Sequence, residues 1–293
     1  MRTGPRIYNS LITDNRRWAH IALRTGDILV CTPPKSGTTW TQVITALLLS
    51  GDPDLAPELS VNHPWVDNRM RPIEDRVEAL TSQTGPRSLK SHTPLDGLPW
   101  HDGVYYIAVY RHPLDAHYSM RNHVANMPDA ITAFAWYFPE DDRLCFRRFL
   151  EGADEGADYD ALSLASILTH YRTFRDAAQR PNVSLLHYAD MCRDPAGTVR
   201  RIAGILGIDH DAALMERLIG AAGFANMKAN AGRYAPAGGT GFWRADDRFF
   251  DSASHGKWQG KLSDAEIAAY GAIMDETLDP EDRRWLEWGS QSP

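Results

Sequence analysis

The sequence predicts an α/β fold: a mostly parallel β-sheet flanked by helices. Short, almost wholly apolar runs at residues 28–31, 104–110 and 182–188 are typical of parallel strands buried on both faces. Segments 39–49 and 164–178 instead carry apolar residues at helical spacing. Because such strands and helices alternate along the chain, a layered α/β domain is expected.

The remaining segments complete this pattern. Residues 7–26 read as a short helix or loop, residues 51–65 as a loop, and residues 87–92 as a short strand. Pro113 is well placed as the first residue of a helix. Segment 139–161 reads as an acidic loop with a basic and aromatic island at 143–150. Further helices are expected at 72–79, 196–206 (closed by Gly207), 214–222, and after a capping box formed by Ser263 and Glu266.

Size and composition predict a single domain over residues 1–293. The chain is 43% hydrophobic and 24% charged, as in ordinary globular proteins, and it contains no internal repeat or linker. With 31 basic and 38 acidic residues it lacks the overall basic character of a nucleic-acid-binding protein. We therefore expect no nucleic-acid partner.

Cysteine usage and hydropathy predict a cytoplasmic location. Cys31, Cys145 and Cys192 are far apart and form no C-x-x-C pair, which favours a reducing compartment and argues against a disulfide framework or a zinc site. No apolar signal-peptide core follows the amino-terminal arginines. The longest uncharged apolar stretch, residues 36–51, is too short to span a bilayer, so an integral membrane protein is not expected.

The turn between the first strand and the first helix, Lys35-Ser36-Gly37-Thr38-Thr39, predicts an anion-binding site. A strand, a tight glycine turn and a helix direct backbone N–H groups and a positive helix end at an anion, to which Lys35 adds a cation. The pattern differs from the Walker loop because the lysine precedes the glycine. An ordinary capped turn is the alternative.

The string Pro34-Lys-Ser-Gly-Thr-Thr-Trp40 resembles the 5′-phosphosulfate loop of sulfotransferases that use 3′-phosphoadenosine 5′-phosphosulfate (PAPS). The resemblance runs from about Trp18 to Trp258, and segments 91–97 and 242–250 are similar to bacterial members, including glycolipid-type sulfotransferases. It implies the P-loop-like sulfotransferase fold, PAPS as donor, 3′-phosphoadenosine 5′-phosphate (PAP) as product, and no metal. By this resemblance residues 35–40, ending at Trp40, hold the phosphosulfate.

Lys90-Ser-His92-Thr-Pro lies at the end of a predicted strand. Ligands of open α/β sheets bind beyond the carboxyl ends of strands, where Lys35, His92 and Arg111 all fall. A histidine in such a place is more often structural than catalytic. The segment also resembles the family's catalytic segment, which implies His92 as general base and Lys90 as a second cation.

Segment 110–119 resembles the family's 3′-phosphate motif, which implies Arg111 and Ser119 as cofactor ligands. Ser119 is also expected to restrain Lys35 until the acceptor arrives. Read without the resemblance, the two residues are a helix-terminal arginine and a solvent-facing serine. An arginine there can bind a phosphate bidentately.

Three more residues resemble the family's adenine contacts: Tyr188, Phe224 and Met227. An aromatic residue and a methionine three positions apart are more often core than cofactor contacts. Where family members usually carry hydroxyl residues, this chain has Ala222 and Gly223.

A second departure from the family pattern concerns the 3′-phosphate. Asp251-Ser252-Ala253 stands where the family has Arg-Lys-Gly, so two cations are replaced. One of four other cations is expected to replace the positive charge that is lost at the 3′-phosphate, namely Arg244, Arg248, Lys257 or Lys261.

The histidines at 112, 117 and 123 do not share a helix face, so their spacing argues against a metal site.

Taken together, the sequence and the resemblance predict a PAPS-dependent sulfotransferase acting on a hydroxyl or amine. The alternatives are a small-molecule kinase and a nucleotide-binding paralogue that has lost catalysis. The acceptor pocket is expected in loops 58–71, 121–160 and 232–248, whose aromatic residues predict an apolar or aromatic acceptor: Trp65, Trp136, Tyr137, Phe138, Tyr234, Phe242 and Trp243.

Overall fold

A computed structural model describes residues 4–55, 58–128, 137–152, 162–250 and 255–291. Within these ranges four parallel strands form one sheet in the order β2-β1-β3-β4. The strands are β1 (Ile28–Cys31), β2 (Ser88–Ser91), β3 (Tyr105–Tyr110) and β4 (Val183–His187). The prediction of a mostly parallel α/β sheet is confirmed.

Alternate residues of the central strands face two separate cores. Leu29 and Tyr106 pack into one apolar cluster, and Val30 and Ile107 into the other. This arrangement explains why β1 and β3 are apolar at almost every position, since both of their faces are covered. The helices that cover the sheet and connect its strands are α1 (Thr38–Ser50), α2 (Leu59–Asn62), α3 (Ile73–Thr81), α4 (Pro113–Ala125), α5 (Asp142–Glu151), α6 (Leu164–Asp176), α7 (Tyr188–Arg193), α8 (Pro195–Leu206), α9 (Ala212–Ala221), α10 (Phe224–Ala229), α11 (Ala231–Tyr234), α12 (Asp264–Thr277) and α13 (Pro280–Trp288). Short 3₁₀ helices lie at Asn15–His20, Leu95–Gly97 and Asp246–Phe249.

Segment 64–66 continues the sheet past its edge strand β2. The Lys90 N–H donates to the Pro64 carbonyl, and the Val66 N–H donates to the Lys90 carbonyl. The chain between α2 and α3 therefore runs beside β2. At the opposite edge of the sheet, β4 leads directly into α7 at Tyr188.

Several predicted helix ends are confirmed. Pro113 begins α4, Gly207 ends α8 with φ of 65°, and Ser263 and Glu266 form the capping box of α12. Two loop predictions were wrong, because residues 59–62 and 142–151 are helical. In α5 the Asp141 carboxylate caps the Leu144 N–H and one face buries Phe146 and Phe149, which the acidic flanks had obscured. Residues 153–161 lie outside the described ranges.

Helix α13 follows the predicted carboxyl-terminal helix and was not expected. None of the helices in the described ranges combines the length and the hydropathy that crossing a bilayer requires. That residues 1–293 form one domain stays a prediction.

Candidate active site

A cavity of about 440 Å³ lies at the carboxyl edge of the sheet. Residues that directly follow β2, β3 and β4 line it, namely His92, Arg111 and Tyr188, together with the β1–α1 loop. The sequence argument that Lys35, His92 and Arg111 would meet beyond the strand ends is correct. Of the predicted loop residues Lys35, Gly37, Thr38, Thr39 and Trp40 line the cavity, whereas Ser36 is buried and is not part of the lining.

The β1–α1 loop has an unusual backbone. Lys35 adopts a left-handed conformation with φ of 64°, and Gly37, the N-cap of α1, has φ of 109°. A Cβ atom at Gly37 would lie 3.0 Å from Cδ2 of Tyr188, so glycine is required here on both conformational and steric grounds. The N-cap residue of α1 is Gly37, which has no side chain to cap the helix. The N–H groups of the first turn can therefore bind an anion in the cavity.

The Lys35 ammonium is positioned by two side chains. Its Nζ lies 3.1 Å from Nδ1 of His123, to which it donates, and 4.8 Å from the centre of the Phe249 ring. His123 lies one turn of α4 beyond Ser119, and sequence reasoning considered it only as a metal ligand. The spacing of four residues was the signal that could have placed it beside Ser119.

His92 is held as a single tautomer. Its Nδ1 lies 2.5 Å from the carbonyl oxygen of Thr32, and because a carbonyl can only accept, Nδ1 carries the proton. Nε2 is therefore the nitrogen with a free lone pair. The ring also meets Trp65 edge to face, at a centroid distance of 4.6 Å.

Burial and neighbouring cations control the charges around His92. Burial, then Lys90, holds the pKa of His92 well below its usual value, so the imidazole is neutral at physiological pH. Burial lowers the pKa of Lys90 to about 8. The Lys90 ammonium lies 4.3 Å from the centre of the Trp65 ring, which stabilises it as a cation.

The buried carboxylate of Asp67 connects the segments around His92 through hydrogen bonds. It accepts hydrogen bonds from the indoles of Trp18 and Trp65 and from the hydroxyls of Ser91 and Thr93, the two neighbours of His92. Burial raises the pKa of Asp67, while these four donors oppose that shift. Sequence reasoning missed Asp67, because three of its four donors come from two distant segments, at Trp18 and at residues 91–93.

Arg111 and Ser119, the predicted 3′-phosphate ligands, are both buried and line the cavity. The Arg111 guanidinium donates to the Lys35 carbonyl at 3.3 Å and lies 4.5 Å from the centre of the Tyr188 ring. It therefore connects the β1–α1 loop to the β4 side of the cavity.

Two of the predicted adenine contacts, Tyr188 and Phe224, form an aromatic wall together with Trp40. The Trp40 ring meets Tyr188 and Phe224 edge to face, at 6.1 and 6.3 Å, and its indole N–H donates to the Ala222 carbonyl. Phe224 and Met227 line the cavity as well. The carbonyl of Ala222 thus serves Trp40 at a position where a hydroxyl side chain was expected.

The departure at Asp251-Ser252-Ala253 lies outside the described residues. Among the four cations named as compensation, Lys257 lines the cavity, and both carboxylate oxygens of Asp115 hold the backbone N–H groups of Gly256 and Lys257. Lys261 instead lies over the ring of Tyr118. The guanidinium of Arg244 donates to a carbonyl at Met127, and Arg248 is exposed.

The three histidines of segment 112–123 have different surroundings. His112 packs against Trp258, His117 against Phe149, and His123 contacts Lys35. Within the described ranges no three His, Cys, Asp or Glu side chains are grouped as metal ligands would be.

Fold and site together define an α/β enzyme with a P-loop-like anion site at the first strand–helix turn. A model of the sulfotransferase domain matches residues 25–280, so the chain belongs to the sulfotransferase family and is a sulfotransferase. A glycolipid sulfotransferase of Mycobacterium bovis is 36% identical, over 97% of this chain and 94% of its own length. Human sulfotransferase 1C2 is 26% identical over 70% of this chain and 66% of its own length.

Solved structures share the fold. Mouse sulfotransferase SULT7A1 complexed with PAP superimposes with a TM-score of 0.70 at 19% identity, covering 96% of this chain and 95% of that one. A retinol dehydratase in complex with androsterone and the inactive cofactor PAP gives 0.68 at 19% identity, covering 91% and 87%. The predicted family and fold are confirmed.

Proposed function

We propose that this sulfotransferase takes its sulfuryl group from PAPS and transfers it to a hydroxyl of a lipid or small-molecule acceptor, with His92 as general base. The observation that carries the proposal is the state of His92. It is neutral, its Nδ1 proton is fixed on the Thr32 carbonyl, and it lines the same cavity as three lysines, namely Lys35, Lys90 and Lys257. This is the arrangement that removal of a proton from an acceptor requires.

The β1–α1 loop fits the phosphosulfate of PAPS, which supplies the sulfuryl group when bound. A side chain at Gly37 would fill the cradle, and the uncapped first turn of α1 offers N–H donors for an anion. Arg111 and Lys257 would hold the 3′-phosphate, and the aromatic wall of Trp40, Tyr188 and Phe224 would hold the adenine. The structures of SULT7A1 and retinol dehydratase in complex with PAP support this cofactor.

The residues of the site divide the chemical work. His92 would accept the hydroxyl proton on Nε2 as the acceptor oxygen forms its bond to sulfur. Lys35 would stabilise the leaving phosphate, and Lys90 would neutralise charge that develops on the sulfuryl oxygens. An anion bound beside Lys35 also raises the pKa of His92 towards neutrality, which makes it a stronger base.

The acceptor is expected to have an apolar part. Trp65, Phe242 and Trp243 line the cavity, and the mycobacterial relative is named as a glycolipid sulfotransferase.

We place the enzyme in the cytoplasm, without a nucleic-acid partner. The free thiols of Cys31, Cys145 and Cys192 support a reducing compartment.

The test replaces the base and keeps the cofactor site. His92→Gln should lower kcat about 10²–10⁴-fold, because general base catalysis contributes that much, while calorimetric affinity for PAP stays within about threefold. The control is His20→Gln, an exposed histidine outside the cavity. A variant with full activity would remove His92 from the mechanism.

Parallel assays separate the alternatives. Turnover of ATP with magnesium in place of PAPS would identify a kinase. Tight PAP binding without turnover of any acceptor would identify a paralogue that has lost catalysis. PAP and 5′-AMP binding with equal affinity would show that the 3′-phosphate site is lost.

A further inference from the structure

Arg76 of α3 is a buried cation on the wall of the cavity. Its side chain is 6% exposed and lines the cavity, and its Nη1 donates to the Ser60 carbonyl of α2 at 3.0 Å. Its Nε is buried and has no hydrogen-bond partner in the described part of the chain. A buried guanidinium with one carbonyl as its hydrogen-bonding partner is unfavourable unless something else compensates the charge.

The charges around Arg76 do not compensate it. Among the described residues no carboxylate forms a salt bridge with Arg76, Arg71 or Arg17. Burial first, then Arg71 and Arg17, lower the pKa of Arg76, while the exposed neighbour Asp75 opposes the shift. Arg71 also lines the cavity, and Arg17 donates to the Arg71 carbonyl. Arg71 and Arg76 thus give this wall two cations that no carboxylate of the described residues pairs in a salt bridge.

A second unpaired polar atom lies beside the same short helix. His63 directly follows α2, lines the cavity, and has a buried Nδ1 without a partner among the described residues. Burial lowers the pKa of His63 to about 4, so this ring is neutral and can donate a hydrogen bond. Two unsatisfied buried polar groups on one cavity wall indicate that a polar ligand group belongs there.

The neighbouring lining is apolar. Ile12 and Leu59 line the same cavity, as does Met70, which is 57% exposed. Segment 64–66, which follows His63, pairs with β2, whose end carries His92. A ligand at this wall thus lies on the β2 side of the sheet, away from the aromatic wall at β4.

From this arrangement we propose that the acceptor is an anionic amphiphile, and that Arg76 and Arg71 bind its carboxylate, sulfate or phosphate while an apolar segment leads its hydroxyl to His92. The inference rests on the proposed sulfuryl transfer and adds the class of acceptor. A neutral lipid or sugar could satisfy the hydrogen bonds of Arg76 and His63 but would leave the positive charge uncompensated. The charge therefore favours an anion.

The experiment compares acceptors that differ in charge. ω-Hydroxydodecanoate and its methyl ester have the same chain and the same hydroxyl, so the ratio of their kcat/KM values, measured as PAP release from PAPS, reports the contribution of the anion. Wild type should favour the acid about tenfold or more, the usual effect of a hydrogen bond between charged groups. Hydroxy acids of eight and sixteen carbons would bracket the distance to Arg76.

Three variants identify the residues responsible. Arg76→Met should bring the acid-to-ester ratio to about one, and Arg76→Lys should restore part of the preference. Arg71→Met should reduce the ratio by a smaller factor, and because Arg71 is exposed this variant tests the inference even if Arg76→Met does not fold. The control is Arg69→Met, an exposed arginine of the same segment that is not part of the cavity lining.

Two results would overturn the inference: a wild-type ratio near one, or a ratio that Arg76→Met and Arg69→Met change equally. Failure of the proposed function gives a different result, because the enzyme then releases no PAP from PAPS with either compound. The subsite is then tested by binding alone, with dodecanoate and its methyl ester titrated against the intrinsic fluorescence of Trp65 and the other tryptophans. Tighter binding of dodecanoate, lost in Arg76→Met, supports the subsite, and equal binding rejects it.

Discussion

The two sides of the cavity are built differently. On the β1 and β4 side, a backbone turn with Gly37, a helix terminus and a packed aromatic wall shape the surface, and Arg111 connects its parts. On the β2 side, the surface consists of side chains from distant segments, and polar atoms of His63 and Arg76 are unpaired within the described residues. The first side is prearranged for one type of anion. On the second side, the proposed anionic acceptor would supply the missing partners.

Removing the central cation of the prearranged side should have the largest effect. Lys35→Met is expected to lower kcat about 10²–10³-fold, because a preorganised group that stabilises developing charge contributes that much. The matched control is Lys261→Met, since both ammonium groups lie over an aromatic ring but Lys261 lies over Tyr118 outside the cavity lining. Equal losses in the two variants would show that Lys35 acts through stability instead.

Substitution of Lys257 tests whether this side of the cavity holds the 3′-phosphate, as proposed. Lys257→Met should weaken binding of PAP about tenfold or more in calorimetry and change the affinity for 5′-AMP by less than about threefold, because only PAP carries the 3′-phosphate. Lys261→Met again serves as control. If PAP and 5′-AMP lose affinity equally, Lys257 does not contact the 3′-phosphate.

The smallest expected effect concerns Lys90, a residue of β2 on the second side of the cavity. Because its pKa is lowered to about 8, its charge is present below pH 8 and is lost as the pH rises above it. If the charge assists transfer, kcat/KM should fall up to about tenfold by one unit above that pKa. Lys90→Arg keeps its charge throughout and should remove this alkaline decline. An unchanged decline in Lys90→Arg would assign it to another group.

The sequence was most informative where local pattern dictates backbone geometry. The run of small residues after β1 predicted the turn between strand and helix, and apolar strands predicted the sheet. Helix ends with a chemical signature, such as Pro113 and the Ser263 capping box, were also predicted correctly. These features depend on residues within a few positions of each other.

The rest depends on contacts between distant segments, for which one sequence carries no pattern. His123 becomes a partner of Lys35 through packing of α4 against the β1–α1 loop, and Arg76 reaches the cavity from α3. Helix α5 was misread because its acidic cap resembles a loop and its burial depends on tertiary packing. Lys257 could be named as one candidate among four, but its position required the contact with Asp115.

The hydrogen bonds of Asp67 imply that substitutions on the two sides of the cavity will not be additive. One of its oxygens accepts from Trp65, which lines the cavity, while the other accepts from Ser91 and Thr93 on either side of His92. A substitution at Trp65 therefore disturbs the Asp67 carboxylate, which accepts the hydrogen bonds of Ser91 and Thr93, the neighbours of His92. Double-mutant cycles between Trp65 and Thr93 should give coupling energies of about 0.5–3 kcal/mol, as for residues that share a network. Under the proposed mechanism, kinetic losses at Trp65 will thus combine a lost contact to the sulfuryl acceptor with poorer alignment of His92.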